Sequence, residues 1–335
     1  MTSRIRRLAL VLVPACLLLG LPHAAVAQTL GNRPIKLVVP YTPGGPADAA
    51  TRILAEEIAP ILGVPVLVEN NPGATGKIAA EAVKNAEPDG HTLLVGGTPQ
   101  LIILPLLDKT VRYKPLDDFR MISIFMNYDI VFMAGESTGL KTMKDLLAKM
   151  KAKNNDVSFA SIGQPQLTPP GLAYLVFAKM YDGTAQDVVY KGQAPGMLDL
   201  LAGRVTFAAY TLTGALQHIQ TGKLVALAVA SPQRLPQLPN VPTMAEAGFP
   251  EFETANNWVS WVAMVAPAKT PEPILATINK AVVQAVQSAS FKQKIAAVGL
   301  NPQAAASAVQ DHAAWRAEYE RLAATLKRFD IRAPD

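Results

Sequence analysis

The run Tyr41-Thr42-Pro43-Gly44-Gly45-Pro46-Ala47-Asp48 combines two glycines, a proline and an acid in a spacing that could hold an anion. Gly44 and Gly45 admit positive φ and close backbone approach, and Pro46 suits a first helical turn because its missing N–H would be unpaired there anyway. Neighbouring amides, including that of Ala47, then sit at the positive end of a helix dipole, where negative charge is favoured. Asp48 falls in the same turn and is expected to cap amides or hold a water rather than catalyse. The third glycine of a dinucleotide fingerprint is missing, so no nicotinamide cofactor is expected.

Four other stretches carry chemically useful types. Asn70-Asn71-Pro72-Gly73-Ala74-Thr75-Gly76-Lys77 superficially resembles a phosphate loop, yet Asn71 stands where its first glycine belongs and Ile78 where a magnesium-binding hydroxyl is needed. A second anion or water site at Thr75 is the reading that survives. Gly135-Glu136-Ser137-Thr138-Gly139 matches the hydrolase pattern G-x-S-x-G, but the helix is expected only near Thr142, too late for a nucleophile elbow. An exported α/β serine hydrolase using Ser137, with His218 or His312 as base, is the alternative reading. Ser161 to Pro170, with Gly163 and Thr168, is rich in hydroxyls, amides and turn formers. Tyr190-Lys191-Gly192 and Tyr210-Thr211 end strands whose side chains could line the same mouth. His91, His218 and His312 are scattered, so no metal, cofactor or catalytic residue is expected.

Short β-branched runs alternating with amphipathic helices position these loops, the pattern of an α/β fold with a largely parallel sheet. Strands are expected at Ile35 to Pro40, Pro65 to Glu69 and Thr92 to Gly96, with helices near Ala47 to Ile61 and Lys77 to Asn85. Met121 to Phe132 reads as one or two strands passing between domains. A second α/β series runs from helix Thr142 to Lys153 as far as strand Leu224 to Ala230. A proline-dense connection, a strand at Trp258 to Val265 and three helices to Phe329 complete the chain. Two units joined by more than one crossing leave a cleft, with ligands expected outside the carboxyl ends of strands.

The 335 residues are 50% hydrophobic and 17% charged, enough for roughly two domains. Arg4, Arg6 and Arg7 precede an apolar run from Leu8 to Leu21 and the small residues Ala25-Val26-Ala27, which reads as a cleavable secretory signal over 1–27. The expected location is therefore the periplasm. The single cysteine, Cys16, lies inside the signal, leaving no disulfide and no thiolate. Without the signal arginines 28 basic residues face 26 acidic ones, a balance that argues against nucleic acid.

The chain also resembles the substrate-binding proteins of tripartite tricarboxylate transporters, the Bug or TctC-like receptors. The residues that carry the likeness include Arg33-Pro34-Ile35-Lys36-Leu37-Val38-Val39-Pro40, Pro43-Gly44-Gly45, Pro72-Gly73-Ala74, Pro88-Asp89-Gly90-His91, Tyr190-Lys191-Gly192, Val241-Pro242-Thr243 and Glu246-Ala247-Gly248. The resemblance implies a Venus-flytrap fold, like that of periplasmic binding proteins, with 28–125 plus 245–335 as one domain and 126–244 as the other. It also implies a small organic carboxylate, aromatic or dicarboxylic, pinched between Tyr41 to Asp48 and Ser161 to Thr168, with Thr98 and Tyr190 nearby. Delivery to membrane transporter subunits or a sensor by a monomeric receptor follows from it too. The chain departs from the family pattern at Thr168-Pro169-Pro170-Gly171 and at Phe207-Ala208-Ala209-Tyr210-Thr211, which disfavours an amine-bearing ligand and leaves Tyr128 and Tyr210 to accept an aromatic or apolar acid.

Overall fold

The computed structural model describes residues 30–152, 156–255, 260–298, 300–302 and 307–333. The expected signal, with Cys16, and Trp258 lie outside them. Valine, isoleucine and leucine build β1 (Ile35–Val39), β2 (Val66–Asn70) and β3 (Thr92–Gly97), which pair in parallel through crossovers α1 (Pro46–Leu62) and α2 (Lys77–Lys84). Helix α1 begins on Pro46 and stops at Gly63, whose φ of 70° lets its N–H reach the Ala59 carbonyl at 2.9 Å. After β3 come a π-helical turn (Pro99–Ile103), α3 (Leu104–Leu107), α4 (Pro115–Asp118) and β4 (Phe119–Tyr128). One residue, Asp129, then separates β4 from β5 (Ile130–Gly135), which belongs to a different sheet.

The second sheet is assembled from α5 (Met143–Lys151), β6 (Ser158–Ile162), α6 (Pro169–Met180), β7 (Gln186–Tyr190), α7 (Gln193–Leu201), β8 (Phe207–Thr211), α8 (Leu216–Gln220) and β9 (Leu224–Val229). The chain returns through α9 (Pro250–Ala255) to β10 (Ser260–Pro267), then α10 (Glu272–Gln287), α11 (Ala289–Ala297), β11 (Asn301–Pro302) and α12 (Ala308–Arg328). The strand orders are β11-β4-β10-β3-β1-β2 and β7-β6-β8-β5-β9. Both sheets are mixed, which corrects the largely parallel expectation: β10 runs antiparallel between β3 and β4, and β5 antiparallel between β8 and β9. Each of these strands arrives from the other sheet, β5 from β4 and β10 from β9, so no βαβ crossover within its own sheet sets its direction parallel.

Each sheet is buried on both faces. Helices α1, α10 and α11 cover one face of the first sheet around Leu37, Leu54 and Val282, while α7 and α8 cover one face of the second around Met197 and Leu200. The remaining faces share one apolar cluster, in which Phe132, Phe177 and Phe252 meet with ring centroids 5.8–6.0 Å apart. Helix α9 carries Phe252 into that cluster, so the proline-dense return is packed rather than irregular throughout. Register shifts in the β4–β10 ladder leave the Ile124 amide to Asp311 of α12, which accepts it at 2.9 Å.

Two buried groups give testable consequences. A Cβ on Gly196 of α7 would overlap the hydroxyl of Tyr210, which is fully buried and without a hydrogen-bond partner. Gly196→Ala should cost about 1–3 kcal/mol by overpacking, and adding Tyr210→Phe should recover most of it, both read by urea denaturation. Glu318 accepts the Trp261 indole N–H at 2.6 Å, and burial pushes its carboxyl up to about 7 against the pull of Trp261 and Arg321. A raised acid binds its proton more tightly when folded, so this site loses stability as pH climbs from the ordinary glutamate range past 7. Glu318→Gln should therefore melt higher than the parent at pH 8, with the gap closing at pH 5, by calorimetric Tm.

Candidate functional site

The parallel strands β1, β2 and β3 end together, so the loops after Val39, Asn70 and Gly97 share one edge of the first sheet. There the Tyr41 to Asp48 loop is held by its acid. Asp48 is buried and accepts the Gly44 amide at 2.9 Å, the Arg52 guanidinium at 2.9 and 3.0 Å and the Asn70 amide at 2.8 Å. Burial alone would raise its carboxyl; Arg52, Gly44 and Asn70 together hold it below the usual carboxylate range. Asn70 also donates to the Tyr41 carbonyl at 3.1 Å, closing the loop onto β2. Asp48 is thus spent on shaping the loop, as a cap, and is not free for a ligand.

Gly44 has φ 83°, and a Cβ there would meet nothing within 4 Å, so the demand for glycine is conformational rather than steric. Pro43 and Gly44 are exposed, Ala47 is buried, and as first-turn residues of α1 the amides of Ala47 and Asp48 have no acceptor inside the helix. Gln100 organises the rest of this edge. Its Oε1 accepts the Tyr41 hydroxyl at 3.1 Å and the Gly97 amide at 3.0 Å, and its Nε2 donates to the Thr75 carbonyl at 2.8 Å. Burial pushes the Tyr41 phenol up to about 12, with Gln100 pulling it back, and burial beside Tyr41 lifts Tyr128 as well. Thr75 is exposed in a left-handed conformation (φ 55°), while Thr98 is buried and accepts the Trp261 amide at 3.4 Å. Gln100 carries no motif; only its position three residues past Gly97 could have marked it.

On the second sheet β6, β7 and β8 also run parallel and end on one edge. Ser161 is buried and bonds the Gly163 carbonyl at 3.3 Å, and Gly163, at φ 61°, donates its amide to Tyr190 at 2.9 Å. Thr168 caps α6 by accepting the Gly171 amide, and a Cβ on Gly171 would collide with the Pro165 backbone. Tyr190 donates to Asp199 at 2.7 Å, and burial together with that acid lifts its phenol to about 12. Tyr210 departs from its expected role: it points into the core beneath α7 rather than onto the edge, because alternation along β8 puts Thr211 at the mouth instead. The Thr211 hydroxyl donates to Gln193 Oε1 at 2.8 Å, and Gln193 Nε2 donates to the carbonyls of Thr211 and Thr213 at 3.0 and 2.9 Å.

The two edges face one another. A cavity of about 570 Å³ is walled by Pro46 from the first sheet's loop and by Gln193, Met197, Leu198 and Thr211 from the second. Ser161, Gly163 and Thr168 do not line it; the start of α7 does. Ser137 stands exposed on a short turn that closes at Gly139 (φ 71°), and α5 starts only at Met143 behind a Thr142–Asp145 capping box, so no nucleophile elbow forms. His91 is buried against the Pro34 carbonyl at 3.2 Å, and no group of three or more potential metal ligands clusters among the described residues. No helix among them is long and apolar enough to cross a membrane.

Comparison with known proteins agrees with this fold. The model of the tripartite tricarboxylate transporter family receptor matches residues 50–327. Protein BugT of Bordetella pertussis is 33% identical over 288 residues, covering 84% of this chain and 85% of the relative. Among solved structures, the periplasmic binding protein BugD superposes with a TM-score of 0.76 at 29% identity, over 91% of this chain and all of that one. The R. palustris protein Rpa4515 with adipate gives 0.78 at 27% identity, over 90% and 99%.

Asp48→Asn keeps the side-chain shape but removes the anion that Arg52 and Gly44 hold. It should lower stability by about 1–3 kcal/mol at pH 7, measured by denaturant titration. A depressed acid stabilises above its unfolded value of about 4 and loses that contribution as pH falls through the folded one, so parent and variant should converge near pH 3.

Proposed function

The chain belongs to the tripartite tricarboxylate transporter receptor family, and from that premise we propose that it captures a small organic carboxylate between its two lobes and presents it to a membrane transporter. The observation that carries this reading is the pairing of two strand-end edges across one cavity, with Pro46 on one wall and the first-turn amides of Ala47 and Asp48 next to it in the chain. An anion there gains the helix dipole and unpaired first-turn amides without needing a charged side chain. Asp48, Asn70 and Gln100 keep that loop in shape before ligand arrives, which reduces the ordering cost of binding. The closed form is selected because only it lets both lobes touch the ligand.

Catalysis has no support in the geometry around Ser137, and the matching family model is that of a receptor. The expected signal peptide and the periplasmic location agree with the binding-protein relatives. Within the proposed site, Pro43, Gly44 and Ala47 hold the carboxylate, Tyr41 and Tyr128 stand behind them, and Thr75 and Thr98 complete the first wall. The second wall is proposed to hold Thr211 beside Tyr190, with Ser161, Gly163 and Thr168 on the same sheet edge.

A thermal-shift screen of mono-, di- and aromatic carboxylates tests the reading: a ligand at about 100 times its Kd should add about 2.7 kcal/mol of stability. The same screen on Gly44 variants separates shape from bulk. Gly44→Asn, which tolerates positive φ, should retain the shift, whereas Gly44→Val should lose it while remaining folded by circular dichroism. If no carboxylate moves the parent's midpoint, the reading fails.

A further inference from the structure

We propose that the cavity beside Pro46 seats an uncharged hydrocarbon tail, so that the ligand is a monocarboxylate with an apolar chain or ring of about six carbons. This rests on the carboxylate reading above and names the class of acid. The wall opposite Pro46 is built by Ala194, Met197, Leu198 and Leu201 of α7, and Leu198 is 64% exposed. No aspartate, glutamate, lysine or arginine lines the cavity.

Two of its polar members, Gln193 and Thr211, are already engaged with one another. Gln193 gives its amide hydrogens to the Thr211 and Thr213 carbonyls, and its oxygen accepts the Thr211 hydroxyl, so the carboxamide is tied to the strand end instead of being offered to a ligand. A second carboxylate entering here would give up its water and receive no cation in exchange, a costly transfer. A methylene chain entering the same space loses only apolar hydration, which is favourable. The volume of about 570 Å³ falls inside the range of roughly 300–1,000 Å³ typical of small-ligand sites. Continuity with the glycine loop fixes the polarity of the ligand: Pro46 belongs both to the anion-holding turn and to the cavity wall, so head and tail lie on either side of one residue. His218 is the only titratable residue in the lining.

Hexanoate and adipate have the same six-carbon skeleton and differ by one terminal carboxylate, which makes them the discriminating pair. Titration calorimetry of the purified protein at pH 8 should find hexanoate tighter than adipate by about tenfold or more. Leu198→Lys, at an exposed position that leaves the core intact, should shrink or invert that ratio by supplying the missing cation. Adipate binding as tightly as hexanoate would overturn the inference and leave the carboxylate reading standing. A preference for hexanoate that Leu198→Lys does not change would place the tail elsewhere and overturn it as well. If neither these acids nor any in the wider screen binds, both the inference and the carboxylate reading fall.

Discussion

The carboxylate of Asp48 is the fixed point of the candidate site. One buried acid accepts from the Gly44 backbone, from Arg52 one turn later and from Asn70 at the end of the neighbouring strand. Those bonds set the angle at which α1 leaves β1, and so where its first amides and Pro46 stand. The ordering is done inside the protein by groups that no ligand has to touch. Arg52 neutralises Asp48, so the negative charge does not repel an anion arriving at the amides beyond it.

Much of this was legible in the sequence. The βαβαβ rhythm, the glycine turn and the late start of the helix after Ser137 all follow from local pattern: β-branched runs, positive-φ residues and capping. The resemblance on ordered motifs from Arg33 to Gly248 brought the two-lobed fold and the receptor family with it. Local pattern carries little about strand direction, however. Ser260 to Pro267 looks the same whether it joins a sheet parallel or antiparallel, and here β10 is antiparallel to both neighbours.

The site residues were harder to read for a related reason. Tyr210 and Thr211 are adjacent, and which one meets the cleft depends on the register of β8 against β5, where Tyr210 pairs with Val131 and Thr211 with Ile130. Gln100 and Gln193 bind backbone carbonyls and hydroxyls brought from other elements, so nothing in their own neighbourhood announces them. On α7 the neighbours Met197 and Leu198 are both apolar, yet Met197 is buried and Leu198 exposed; periodicity alone does not say which face lacks a cover.

Asp129 has a kinetic meaning beyond its place in the topology. A link of one residue between β4 and β5 has almost no conformations to lose, unlike the thirty residues that separate β9 from β10. Loop-closure entropy grows with tether length, so the short link holds the two edges at high mutual concentration whether or not a ligand is present. The lobes need not search for each other. In the proposed capture the lobes then have only to rotate about a short pivot, and the rate of ligand release would report on the contacts in the cleft rather than on the diffusion of one lobe from the other.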